Sequence, residues 1–443
     1  MVSSFHLFAV EKLKKHIDKS ELGDLDKILK QRYLRVLTTR NPYDYYMSDG
    51  KAKGIQYEMV KEFVNYLNKR YTKKGELRIV FEMVPVDFED LIPMLNAGKG
   101  DLIAVGMTKT AKREKLVSFT KPYRKVDDVI VTRKDLSQMS WARKTFHVQK
   151  NSSYHKELLK NKNLVKVETV SPNFHPGDML ELISIGKYDY SLVNSFWAKT
   201  ISKAFGNLVV LKDPAFRKNV EISWAVRKNN PQLLKIVNRF LPKVRRGTLL
   251  GNLFSYKYFH DIGRIFTADA NLKSNTISKY DKYFKKYGEK YGFDWRLLAA
   301  LCYQESRFEP AIKNKWGAIG LFQIKQKTAN EPYVKIKDIE GVNNIENNIH
   351  AGVKYLAWIR DRYFTKNKDM SEESKLRMTL AAYNAGPRRV LQAIEKAKVI
   401  GLDPNRWFRN VELGMLKRGY PEPVFYVSEI NKHYVSYLLL GIK

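Results

Sequence analysis

The stretch Asp294-Trp295-Arg296-Leu297-Leu298-Ala299-Ala300-Leu301-Cys302-Tyr303-Gln304-Glu305-Ser306 carries the reading of the C-terminal part of the chain. Asp294 is a strong N-cap, and a helix is expected after it. Leu298, Leu301, Cys302 and Glu305 share one face at i, i+3, i+4 and i+7. A carboxylate closing an apolar stripe is unusual. Burial there would raise its pKa through desolvation, as a general acid requires. Periodicity alone leaves open a plainer reading, in which the helix ends with Glu305 in solvent.

Outward from that helix the sequence divides. From about residue 270 to the end, helical patterns alternate with short polar breaks. Before it, strands and helices alternate: strand patterns at 34–39, 77–84 and 101–106, with helices at 57–71 and 88–96 between them. The style repeats with strands at 128–132, 145–148, 165–170, 188–193 and 222–226 and helices at 154–159, 177–185 and 231–243. This alternation predicts an α/β part with a largely parallel sheet. A charged helix is expected over 11–31. The chain is thus read as multidomain, α/β plus all-α: a helical segment over 1–32, an α/β domain over 33–265 and a helical domain over 266–443.

The 443 residues include 80 basic and 46 acidic side chains, a formal net charge of +34. Such a surface favours an anionic partner without naming one. No nucleic-acid motif accompanies the charge, so wall polymers or lipid headgroups are preferred to nucleic acid. The single cysteine, Cys302, excludes an intramolecular disulfide and a two-cysteine zinc site. The first ten residues lack the basic run and cleavage site of a signal peptide, and no apolar stretch is long enough to span a bilayer.

Four blocks follow one another after residue 300: Glu305-Ser306-Arg307-Phe308-Glu309-Pro310, then Gly317-Ala318-Ile319-Gly320-Leu321-Phe322-Gln323, then Asn348-Ile349 with Gly352 and Tyr355-Leu356, then Ala382-Tyr383-Asn384-Ala385-Gly386. In this order and spacing they resemble the lytic transglycosylase domain, which has a lysozyme-like fold. The resemblance implies that Glu305 is the sole catalytic acid/base. It implies that Ser306, Gln323, Tyr383 and Asn384 lie along a sugar cleft, with Tyr426 near the acid. Asn314 stands where the family usually has Ser and Phe322 where it usually has Met, both at positions that line the cleft. Trp316 is the one tryptophan of the region expected beside it.

The resemblance also implies the chemistry. Protonated Glu305 donates to the oxygen between N-acetylmuramic acid and N-acetylglucosamine, and the ionised form then takes a proton from the muramoyl O6 hydroxyl. The product is a 1,6-anhydromuramoyl end. Most glycosidases use two carboxylates; here one suffices, and no metal or cofactor is called for. Alternatives within reach are a hydrolytic muramidase and a non-catalytic protein that binds wall fragments.

Earlier in the chain, Asp101 to Gly106, Thr108, Thr110 and Arg113, followed by Phe119-Thr120-Lys121-Pro122-Tyr123, resemble periplasmic solute-binding proteins for amino acids. Gly54 to Val60 and Ser223 to Lys228 add to the likeness. It implies two α/β lobes with a ligand cleft between them, Thr108 and Arg113 gripping a carboxylate. An arginine suits that task through its planar fork. Asn194 stands where the family places an acid for the ligand's ammonium, so an amino acid or a muropeptide is expected there. Tyr43 is expected to wall the pocket. The two domains in this order are similar to the membrane-bound lytic transglycosylase F family. That arrangement implies regulation of the second domain by the first, peptidoglycan strands as partner, and a periplasmic location peripheral to the outer membrane.

Overall fold

The computed structural model describes residues 19–171, 174–203, 205–211, 216–245, 247–259, 276–341 and 344–442. The first part of the expected helix over 11–31 lies outside them, as does the expected domain boundary between 265 and 275. Of the described part of that expected helix, Leu25–Gln31 is helix α1, while 19–24 is not helical.

The first part is α/β. Its strands are β1 (Tyr33–Thr38), β2 (Tyr46–Ser48), β3 (Lys51–Lys53), β4 (Val80–Pro85), β5 (Leu102–Thr108), β6 (Ser118–Phe119), β7 (Arg124–Arg133), β8 (Thr145–Gln149), β9 (Lys166–Val170), β10 (Ser191–Asn194), β11 (Leu208–Leu211) and β12 (Arg217–Val226). Its helices after α1 are α2 (Ile55–Tyr71), α3 (Leu91–Asn96), α4 (Ala111–Glu114), α5 (Ser153–Lys160), α6 (Pro176–Ser184), α7 (Ser195–Ile201), α8 (Pro231–Phe240) and α9 (Leu249–Phe259).

The main sheet runs β10-β7-β12-β5-β1-β4, with β11 on β7 and β6 on β12. Its β4-β1-β5 portion is parallel, as the alternation predicted. The expectation of a largely parallel sheet fails beyond it, where β12 pairs antiparallel with both β5 and β7. Each of β7 and β12 is ten residues long and passes between two lobes. Their pairing makes the sheet continuous across a two-lobed domain. Leu34, Val36, Phe81 and Met83 line one face of the parallel strands, while Leu37, Val84, Ile103 and Val105 bury the other. Buried on both faces, these strands read as continuous apolar runs.

The second part is helical: α10 (Asp281–Tyr291), α11 (Trp295–Ser306), a two-residue ribbon β13 (Ala318–Ile319) and β14 (Ile324–Lys325), α12 (Gln326–Asn330), α13 (Ile345–Tyr363), α14 (Glu372–Ala385), α15 (Pro387–Val399), α16 (Glu412–Lys417) and α17 (Pro421–Leu439). The C-terminal helix α17 packs on α11 and α14 and also covers β4, the edge strand of the sheet. Covering an edge satisfies a position that would otherwise invite foreign strands. One apolar cluster therefore runs from the α/β part into the helical part.

Candidate active site

Helix α11 begins at Asp294, whose carboxylate accepts from Arg296 N at 2.9 Å, from Arg296 Nη2 at 2.8 Å and from the Tyr434 hydroxyl at 3.0 Å. The sequence suggested one apolar face. In the structure residues 297 to 302 are all buried, so the helix threads the middle of the bundle. It stops abruptly: Arg307 and Phe308 both have left-handed backbones, at φ 54° and 64°. Two consecutive non-glycine residues in that region are held there by their surroundings. The Phe308 ring lodges against Tyr303 and Phe284. This turn leaves Glu305 on the last helical turn, only partly exposed.

The Tyr426 hydroxyl, from α17, donates to Glu305 Oε1. Burial pushes the Glu305 carboxyl up to about 7, while the hydrogen bond from Tyr426 pulls the other way. A carboxyl near 7 can give a proton and take one back at neutral pH.

Tyr383 is close enough to Glu305 for that charge to help raise its own pKa, after burial. Its hydroxyl donates to the Phe322 carbonyl at 2.8 Å, tying α14 to the loop that carries Gln323. Gln323 is partly exposed, and its amide donates to the carbonyls of Ile312 (3.0 Å) and Gly320 (2.9 Å). Trp316 is 69% exposed at the tip of the same loop. The Asn314 side chain accepts from the Trp316 and Ala318 amides, which shapes that loop.

In the first domain, Arg113 lies just beyond β5, where Thr110 caps α4. Its Nη1 donates to the Thr108 carbonyl at 2.9 Å and its guanidinium stands over the Phe88 ring. Burial, and then the nearby Arg217, push it down to about 10. Ser153, at the start of α5, donates to Thr108 Oγ1 at 3.3 Å. Thr108, Arg113 and the start of α5 thus converge from two lobes, an arrangement able to hold a carboxylate.

Residues 34–260 match the model of the bacterial extracellular solute-binding proteins, family 3, and residues 282–401 match the transglycosylase SLT domain. A membrane-bound lytic murein transglycosylase F from Desulfosudis oleivorans is 28% identical, over 88% of this chain and 83% of the relative. One from Pseudomonas fluorescens is 29% identical, over 93% and 85%. The chain belongs to the bacterial extracellular solute-binding protein family 3; joined to a transglycosylase SLT domain, it is similar over most of its length to the lytic murein transglycosylases F. It is an enzyme of the peptidoglycan lytic transglycosylase class. Among solved structures, an ancestral amino acid-binding protein shares 24% identity with a TM-score of 0.44, over 53% of this chain and 99% of that one. The relatives are named membrane-bound; among the described residues no helix is long and apolar enough to cross a membrane.

Within this family member, some residues singled out from the sequence are placed otherwise than expected. Ser306 is buried, and its hydroxyl donates to the Cys302 carbonyl at 3.1 Å, so its side chain serves the helix and does not face a sugar. Asn384 is exposed on the last turn of α14. Phe322 does not line a cleft: it is fully buried against Gly352, and only its backbone reaches Tyr383. Asn194 caps α7 through its Oδ1 (3.0 Å to Trp197 N) and donates from Nδ2 to the Tyr154 hydroxyl at 3.2 Å, which occupies the amide expected to meet an ammonium. Tyr43 is buried between His175 and Trp197, ring centroids 4.3 and 4.1 Å away, packing one lobe onto the other.

Two further residues hold positions to which the sequence reading assigned no role at either site. Asp128 is the cross-strand partner of Asn194, and it is ion-paired with Arg217. Burial raises it to about 6 against the pull of Arg217. An acid therefore does stand beside Asn194, but on a different strand. Asn348 is buried and brackets the Gln323 loop: its Oδ1 accepts from Phe322 N at 2.9 Å and its Nδ2 donates to Ile319 O at 3.0 Å. A polar residue on the buried face of α13 was the available signal.

Proposed function

We propose that this enzyme cleaves the β-1,4 bond between N-acetylmuramic acid and N-acetylglucosamine without water, leaving 1,6-anhydromuramoyl ends. Protonated Glu305 donates to the glycosidic oxygen as the bond to the anomeric carbon breaks. The substrate's acetamido group steadies the developing cation. The Glu305 carboxylate then removes the proton of the muramoyl O6 hydroxyl as that oxygen bonds to the anomeric carbon. The acid returns protonated, and no atom enters from solvent.

The observation that carries this reading is the Glu305 carboxyl, raised by burial at the end of its helix and hydrogen-bonded by the Tyr426 hydroxyl, with no carboxylate hydrogen-bonded to it among the described residues. A hydrolase of the common kind pairs two carboxylates across the bond. Gln323, Tyr383 and Tyr426 are the residues assigned to the cleft. The division between the domains is placed at 265/266, and the enzyme in the periplasm, its basic surface drawn to anionic wall polymer or to the outer membrane.

For the first domain, the reading is an amino acid or muropeptide held by its carboxylate at Thr108 and Arg113, with Asp128 in place of Asn194 beside the ammonium. Ligand binding regulates the second domain by favouring one arrangement of the two.

Mass spectrometry of products released from purified peptidoglycan tests the chemistry. Anhydro ends, lost in Glu305→Gln, are expected. Reducing ends would make the enzyme a muramidase, and wild-type binding without products would make it a wall-fragment receptor.

A further inference from the structure

A cavity of about 730 Å³ opens between the two domains, and neither Glu305 nor Thr108 lines it. The volume lies within the range of pockets that enclose small ligands, roughly 300–1,000 Å³. Its walls include Leu77 and Arg78 ahead of β4, Arg406 and Phe408 ahead of α16, and Phe425 and Val435 of α17. These side chains are accessible. Phe408 and Phe425 are 40% and 38% exposed, Arg78 and Arg406 are exposed, and Leu77 and Val435 are half-buried. Phe425 meets the first domain through Arg78, whose guanidinium stands 5.6 Å over its ring. Open apolar surface rimmed by charge marks a binding groove.

The charge left over around this groove has one sign. Among the acids of the wall, Glu76 pairs with Arg32 at 3.0 Å, Glu372 with Lys375 at 2.8 Å and Asp294 with Arg296 at 2.8 Å, while the Glu82 oxygens are sealed beneath the surface. Arg78 and Arg406, by contrast, have no side-chain hydrogen bond or ion pair among the described residues. Two exposed guanidiniums, one on each domain, thus stand without an anion beside an open apolar wall.

We propose that this interdomain cavity binds an anionic amphiphile, an alkyl chain that carries a carboxylate or phosphate head. The chain lies against Leu77, Phe408, Phe425 and Val435, and the head is drawn to the guanidiniums of Arg78 and Arg406. A guanidinium pairs bidentately with either kind of head. A sugar supplies hydroxyls without charge and leaves both guanidiniums unneutralised, whereas a small anion leaves the apolar wall in water. Because the walls come from both domains, the bound amphiphile bridges them. The site is separate from the cleft at Thr108 and Arg113 and does not depend on the product made at Glu305.

Calorimetric titration of the full chain with decanoate, decanoyl-N-methylglucamide and acetate, the amphiphiles kept below their micelle-forming concentrations, tests head and tail separately. Decanoate should bind, and the uncharged glucamide and the tail-less acetate should each bind roughly tenfold or more weakly, as expected for loss of a charged hydrogen bond or of apolar burial. The double variant Arg78→Gln/Arg406→Gln should weaken decanoate roughly tenfold and leave the glucamide within about a factor of two. Phe408→Ser should weaken both amphiphiles. Lysophosphatidylglycerol with a decanoyl chain, titrated beside decanoate, separates a lipid head from a free acid; tighter binding of either supports the site and names its source. Should the double variant misfold, the three ligands on the wild-type chain still decide. Equal affinity for decanoate and the glucamide, or no binding of decanoate at millimolar concentration, overturns the proposal. So does decanoate affinity unmoved in the double variant; its loss in Arg113→Gln would then place the carboxylate in the solute-binding cleft.

Discussion

The Tyr426 hydroxyl donates to the Glu305 carboxylate across 121 residues of sequence, joining the final helix to the end of the buried one. Both side chains are enclosed, and the bond favours the ionised carboxylate against the burial that opposes it. If protonated Glu305 starts the reaction, turnover should fall as pH rises through about 7. Tyr426→Phe removes the lowering influence found among the described residues, so that descending limb should move to higher pH. Turnover at the optimum should drop roughly ten- to a hundredfold, because the carboxylate formed midway loses its donor. A pH–rate profile on purified peptidoglycan checks both. A lowered rate with an unmoved limb would make Tyr426 a packing residue only.

Glu82 offers a test of burial by stability. Desolvation raises its pKa from 4.5 to about 8 in the fold. For an acid raised in this way, the folded chain binds the proton more tightly than the unfolded one. Its contribution is full below pH 4.5 and is lost as pH rises through about 8. Glu82→Gln keeps the shape and removes the titration. The variant's melting temperature should therefore gain on the wild type between about pH 5 and about pH 8. A constant difference across that window would show that Glu82 is hydrated.

Gly352 makes a sharper packing prediction. A Cβ there would meet Phe322 Cβ at 2.4 Å, an atom fixed to the backbone. Alanine gains up to about 1 kcal/mol over glycine in a helix interior. Overpacking costs about 1–3 kcal/mol, and here the displaced residue carries the carbonyl that receives Tyr383. Gly352→Ala should lower stability in denaturant titrations and also depress activity, since Gln323 follows Phe322. Unchanged stability would mean that α13 shifts freely.

These cases mark what local sequence can and cannot convey. The helix that ends at Glu305 was legible because capping and periodicity are local, though periodicity alone left the burial of its carboxylate open, and the parallel strands because alternation is local. The chain's style also distinguished an α/β part from a helical part. The full reach of β7 and β12 was hidden, since their outer halves are strand only through pairing with each other. The β2–β3 hairpin is too short to show a period. Asn194 occupies the expected position, but its amide is taken by Tyr154 and α7, contacts that exist only after the lobe folds. Phe322 looked like a cleft residue by position, and only Gly352, on another helix, shows that it is core.

The same hairpin carries the last prediction. The Tyr437 hydroxyl, on α17, donates to the Gly50 carbonyl at 2.7 Å in a buried contact, and Arg40 Nη1 donates to the Leu440 carbonyl at 2.8 Å. Gly50 has φ 66°, and a Cβ on it would lie 2.3 Å from the Phe308 ring. Phe308 in turn forms the left-handed turn that ends the helix of Glu305. The hairpin therefore touches the catalytic domain three residues from the acid. Tyr437→Phe leaves the Gly50 carbonyl buried without a donor, at a cost of about 1–3 kcal/mol. Gly50→Ala adds a strained backbone and a clash, and should cost more. If the two domains unfold together through this contact, calorimetry should show the single wild-type transition lowered in Tyr437→Phe and split in Gly50→Ala. Turnover should change in both, because the displaced ring is Phe308. A Gly50→Ala chain with the wild-type transition and wild-type turnover would show that the hairpin is not docked in solution.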